Sequence, residues 1–217
     1  ARAELINTVA KKFGVDAKLV LLGNGSSEVI QAAVEGFAHA AQKAGKAVQL
    51  IVPDPTFNYA ELYAATMGVP VKKITLTKEK LALDLNAMKA KAEAFDGVSI
   101  VYICNPNNPT ATITESRLLS DWFGQKNSNT FFIVDEAYAE FVTDSRFKSA
   151  IEDVKSGSAN IVVTRTFSKI YAMAGISAFS GVLLQGFTDY PFYNYRVMLL
   201  FFLLAGLCMC LRQEEAQ

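Results

Sequence analysis

Val98-Ser99-Ile100-Val101-Tyr102-Ile103-Cys104, closed by Asn105-Pro106, is the stretch on which the reading of the fold turns. A run this continuously apolar does not alternate like a strand with one wet face; it reads as a strand buried on both faces. The pattern recurs along the chain. Residues 48–52 form such a run, ended by Pro53-Asp54-Pro55; residues 130–134 form another, stopped at Asp135; residues 160–164 lead into Thr166-Phe167-Ser168-Lys169. A shorter run spans residues 71–76. Between these lie stretches with helical spacing at residues 59–67, 85–95 and 115–126, the last carrying the lone Trp122. Upstream, residues 5–13 predict a helix closed by Gly14, and residues 19–22 a strand ending in Gly23-Asn24-Gly25. Ser26-Ser27-Glu28 then opens a long alanine-rich helix over residues 29–44. Buried strands alternating with helices predict an α/β fold of three layers, αβα, around a mostly parallel sheet.

The composition agrees and narrows the function. At 217 residues and 51% hydrophobic, the chain is long enough for a substantial core. Its 21 basic and 21 acidic residues cancel and are interspersed, so it offers no positive field for nucleic acid. The single histidine, His39, sits among alanines in a helical run, leaving too few parts for a histidine-based triad or a multi-histidine metal site. No metal is expected. Cys104, Cys208 and Cys210 are odd in number and lack disulfide-framework spacing, which suits a reducing compartment. The expectation is the cytosol, or an organelle if a transit peptide precedes Ala1.

Polar residues gather at the carboxyl ends of the strands, where open α/β sheets bind ligands. Gly23-Asn24-Gly25-Ser26-Ser27 places backbone N–H groups and two hydroxyls at a helix start, a phosphate cradle or simply a serine cap. Asp135 ends an apolar strand, where a carboxylate is costly to bury without a cationic or proton-donating partner. Tyr138 lies three residues beyond it, and Lys169 follows its strand by a short polar turn. Cradle, acid, tyrosine and lysine together match what pyridoxal phosphate requires: a phosphate anchor, a pyridinium partner, a ring-oxygen donor and an imine nitrogen.

Asn105-Pro106-Asn107-Asn108-Pro109-Thr110, Asp135-Glu136-Ala137-Tyr138 and Thr166-Phe167-Ser168-Lys169, in that order, resemble the class I and II aminotransferases of PLP fold type I, and among them the histidinol-phosphate aminotransferases. Gly25-Ser26-Ser27-Glu28 and Pro55-Thr56-Phe57 extend the match over about residues 1–176. The resemblance implies that Lys169 holds pyridoxal 5'-phosphate (PLP) as a Schiff base and moves the catalytic proton. It implies that Asp135 pairs with the pyridine nitrogen and that Asn108 and Tyr138 bond the phenolic oxygen. Phe57 would stack on the ring, and Ser26, Ser27, Thr166 and Ser168 would hold the phosphate. The implied reaction moves an amino group between an amino-acid-like donor, phosphorylated in the histidinol-phosphate type, and 2-oxoglutarate. The implied assembly is a homodimer.

Two departures stand beside the match. Where the family places a phosphate-binding arginine eight residues after the lysine, this chain has Ser177, which removes a bidentate partner for the dianion. Beyond residue 178 the likeness stops, so the expected organisation is a PLP-binding large domain over 1–178, N-terminally incomplete and without the family's small domain, then an unrelated apolar tail over 179–217. Residues 197–211 are uncharged and flanked by Arg196 and Arg212, shorter than the ~20 residues of a typical membrane span. A translated intron, frameshift or alternative transcript end, a helix covering exposed surface, and a membrane anchor are three origins for that tail, the anchor being the least favoured. A truncated, non-catalytic remnant that binds PLP weakly or pairs with a full-length subunit is the alternative to an active enzyme.

Overall fold

A computed structural model describes residues 2–125 and 129–170. Two compact units divide the chain, Ala1–Thr166 and Phe167–Gln217. Ser177, the change of character near residue 178 and the apolar stretch 197–211 lie outside the described residues.

In the first unit the elements follow in the order α1 (Arg2–Phe13), α2 (Gly25–Lys43), β1 (Val48–Asp54), α3 (Tyr59–Thr66), β2 (Val71–Thr75), α4 (Leu85–Glu93), β3 (Val98–Cys104), α5 (Ser116–Phe123), β4 (Thr130–Asp135), α6 (Ile151–Lys155) and β5 (Ile161–Thr164). All four ladders are parallel, and the sheet order is β2-β1-β3-β4-β5. The expected α/β layering is therefore present. β3 coincides with its predicted span and all seven residues are buried, which is why its sequence carries no alternation.

Two apolar clusters lie on opposite faces of the sheet. One joins Ile30, Val34 and Ala38 of α2 and Ala60 and Ala64 of α3 to Leu50, Ile100, Tyr102 and Ile133. The other joins Met88 of α4 and Leu119, Trp122 and Phe123 of α5 to Ile51, Val101, Phe132 and Val134. There Phe132 meets Trp122 and Phe123 edge-on, with ring centroids 5.0 and 4.7 Å apart. Successive strand residues thus feed alternate cores, as a sheet covered on both faces requires.

The strand expected at residues 19–22 is a correction. Ala17–Leu19 form a 3-10 turn capped by Asp16, whose carboxylate accepts the Lys18 N–H, and the following residues join no ladder. Leu19 and Leu21 are 64% and 62% exposed. Four apolar residues in a row specified no buried partner, and a strand is stable only when both a neighbour and a covering face are supplied.

Candidate functional site at the carboxyl edge of the sheet

The chain steps from β1 outward to β2 and then returns past β1 to β3, so the topological switch falls between β1 and β3. In open parallel sheets the loops at such a point diverge and leave a crevice outside the carboxyl ends. Here those loops are residues 55–58 after β1 and 105–114 after β3. The side chain of Asn107 ties them: its Oδ1 accepts from Thr56 Oγ1 at 2.8 Å, and its Nδ2 donates to the Pro55 carbonyl at 3.1 Å. Asn105 braces its own loop by exchanging hydrogen bonds with the backbone of Thr114. Phe57 and Asn108 are thereby brought to one edge. Phe57 is half-buried against the α2 and α3 core and stacks on Tyr59 at 4.8 Å; Asn108 is half-buried, with its backbone against the Cys104 thiol.

Asp135 ends β4 directly opposite Cys104 and Thr164. Only 2% exposed, its carboxylate is held by donors from both flanking strands and from its own turn. Tyr102 donates its hydroxyl to Oδ2 at 2.9 Å, Thr164 donates to Oδ1 at 3.0 Å, and the Ala137 N–H reaches Oδ1 at 3.2 Å. These donors carry no charge. Burial first, then the charge of Asp135, pushes the Tyr102 phenol well above its ordinary value, so it remains a donor at neutral pH. The same two causes push the Cys104 thiol up to about 12, and it stays protonated, donating to the Pro106 carbonyl at 3.2 Å. Tyr102 and Thr164 escaped the sequence reading. The available signal was a tyrosine in an otherwise apolar buried strand, because a buried phenol seeks a hydrogen-bond partner.

Tyr138 is half-buried in the turn after β4, its ring 6.2 Å from that of Phe141. The long helix α2 connects to the start of β1 by residues 44–47, so it runs back across the sheet and its N-terminus lies towards the carboxyl edge. It begins at Gly25, earlier than predicted, which puts Ser26 and Ser27 in its first turn, both half-buried. Gly25 has φ +79°, and a Cβ there would meet nothing within 4 Å. Gly23 is constrained instead by closeness: a Cβ would come within 2.8 Å of Val29 Cγ2. The Glu28 carboxylate accepts the Asn24 N–H at this terminus. Thr166 is half-buried beyond β5 and closes the first unit; Ser168 and Lys169 open the second, and both are exposed.

This donor set suits the group the resemblance implies. A buried carboxylate favours a protonated ring nitrogen. A helix N-terminus with glycine and serine supplies N–H and O–H donors to a dianion. Among the described residues, no cluster of three or more histidine, cysteine or acidic side chains fit for a metal ion occurs. Likewise, no helix among the described residues is long and apolar enough to cross a membrane.

Comparison with known proteins covers the same region. The family model for aminotransferase class I and II matches residues 1–182. Histidinol-phosphate aminotransferase of Moorella thermoacetica is 33% identical over 178 residues, covering 82% of this chain and 44% of the relative. Histidinol-phosphate aminotransferase 2 of Bacillus cereus is 35% identical over 170 residues, 78% of this chain and 43% of the relative. A crystal structure assigned to a histidinol-phosphate aminotransferase of Erwinia carotovora atroseptica superposes with a TM-score of 0.73 at 44% identity, covering 79% of this chain and 48% of that one. The histidinol-phosphate aminotransferase of Sinorhizobium meliloti, solved in complex with pyridoxal-5'-phosphate, shares the fold with a TM-score of 0.65 at 20% identity. The chain spans about half the length of the curated relatives it matches.

Proposed function

The chain belongs to the class I and II aminotransferases, and from that premise we propose that it binds PLP at the carboxyl edge of its sheet and serves a transamination of the histidinol-phosphate type. The observation that carries the proposal is Asp135, a buried carboxylate held by uncharged donors beside the switch-point loops that bear Phe57 and Asn108. PLP, when bound, supplies an electron sink that makes the substrate's Cα–H bond acidic.

The chain's own side chains would divide the remaining work. By the family motif, Asp135 would accept from the ring nitrogen and keep it protonated, Asn108 and Tyr138 would hydrogen-bond the phenolic oxygen, and Phe57 would cover a ring face. The same motif would give the phosphate to the N–H groups at the start of α2 and the hydroxyls of Ser26, Ser27, Thr166 and Ser168, and would have the ε-amine of Lys169 hold the cofactor covalently and carry the substrate's proton. The small-molecule partners are an amino donor, phosphorylated in the histidinol-phosphate type, and 2-oxoglutarate as acceptor; the assembly is a homodimer. The large-domain reading of residues 1–178 belongs to the same proposal.

The deciding experiment is a visible absorbance spectrum of the purified chain with added PLP, beside Lys169→Ala. A long-wavelength band present in the parent, absent from Lys169→Ala and altered by glutamate, is the expected result. A band that glutamate leaves unchanged supports a cofactor-binding, non-catalytic remnant. Identical spectra for parent and variant defeat the enzyme reading.

A further inference from the structure

Tyr102 belongs to the apolar core beneath α2, fully buried, yet its hydroxyl reaches past its own register position. Tyr102 pairs with Ile133, whereas its hydrogen bond goes to Asp135, one same-face step further along β4. Spanning that step needs a side chain with an apolar ring long enough to stay in the core and an O–H at its end. Thr164, across the other ladder, is directly opposite Asp135 and needs only a short hydroxyl. The two carboxylate oxygens are therefore secured separately, Oδ2 from β3 and Oδ1 from β5 together with the Ala137 N–H.

We propose that Tyr102 and Thr164 are positioning residues for Asp135, fixing the rotation of its carboxylate and keeping it anionic, so that its charge is presented to the cofactor's ring nitrogen in one orientation. This rests on the cofactor reading above. Hydrogen bonds donated to a charged form stabilise that form, and two donors on different oxygens also resist rotation about Cβ–Cγ. Neither hydroxyl is asked to touch the cofactor.

The test is a double-mutant cycle on PLP affinity, read by absorbance titration, with the position and relative intensity of the bound-cofactor bands as a second readout. Tyr102→Phe keeps the ring and removes only the donor; Thr164→Val does the same for the second hydroxyl and serves if Tyr102→Phe fails to fold. Each is expected to weaken PLP binding by about tenfold, the scale of one hydrogen bond to a charged group, and to change the band ratio. In an Asp135→Asn background each should change affinity by less than roughly twofold. Equal losses in both backgrounds would mean a merely structural effect and overturn the proposal. So would parental affinity and spectrum in both hydroxyl variants when Asp135→Asn has lost binding. Failure of the parent itself to bind PLP, or indifference to Lys169→Ala, is a different signature: it removes the cofactor reading and this proposal with it.

Discussion

Asp135 and Glu136 are consecutive carboxylates, both almost wholly buried, and they face opposite cores. Asp135 points to the α2 side and is held by hydroxyls and an amide. Glu136 points to the other side and is met by a cation: Arg165 Nη2 lies 2.8 Å from Oε2, while Ser149 Oγ and the Ala150 N–H donate at 2.6 and 2.7 Å. Arg165 also pairs with Glu140 at 2.6 Å and lies 5.2 Å from the centre of the Phe13 ring. Glu136 is thus neutralised in place, tying the turn after β4 to residues 149–150 and to Arg165, the residue immediately after β5. The donors to Asp135 named above are two hydroxyls and an amide. Glu136 ties parts of the fold together, while under the proposed function Asp135 offers its charge to the cofactor.

Disrupting Glu136 should have the largest effect. Glu136→Ala leaves Arg165, Ser149 and the Ala150 N–H without their shared acceptor, and removal of one partner of a buried pair costs about 3 kcal/mol or more. Urea denaturation should show it, and an unchanged midpoint would erase the contrast between the two carboxylates. Tyr102→Phe is next. It leaves Asp135 short of a donor and should cost roughly 2 kcal/mol of stability, with the folded spectrum by circular dichroism preserved. Arg165→Lys retains charge but cannot reach Glu136 and Glu140 with separate nitrogens, so about 1 kcal/mol is expected by the same measurement.

A pH series sharpens the comparison further. Burial outweighs the attraction of Arg165 and raises the Glu136 pKa above its ordinary 4.5. The folded chain then binds that proton more tightly than the unfolded one, so Glu136's contribution is complete below about pH 4.5 and declines as pH rises through the raised value. Parent minus Glu136→Gln stability should fall over the weakly acidic range; a rise would mean the ion pair dominates burial. The smallest effect belongs to Arg146, which bridges Asp144 and Glu115 from the surface with its side chain 61% exposed. Arg146→Ala should leave the midpoint essentially unchanged, and any residual effect should vanish in high salt.

What the sequence revealed follows from which interactions are local. β3 was legible residue by residue because full burial writes itself as an uninterrupted apolar run. The edge that gathers Phe57, Asn108 and Asp135 was legible because parallel sheets place their strand ends together. Residues 19–22 misled because an apolar run states a preference for burial, not the availability of a partner. The Tyr102–Asp135 and Arg165–Glu136 pairs were invisible for another reason. Each joins residues about thirty positions apart, and only the register between neighbouring strands determines that they meet.

The sheet order also bears on how this chain reaches its native state. Among the described residues no strand pairs through a hairpin, and β1 sits between β2 and β3, so Leu50, beside Val71 on one side, lacks its second neighbour until Ile100 has been made and brought back beside it. The centre of the sheet thus depends on sequence-distant encounters that must pay loop-closure entropy before any ladder forms. During synthesis the helix α2 and strand β1 leave the ribosome well ahead of the partner that buries them, and their apolar faces are the surfaces most in need of shielding in that interval.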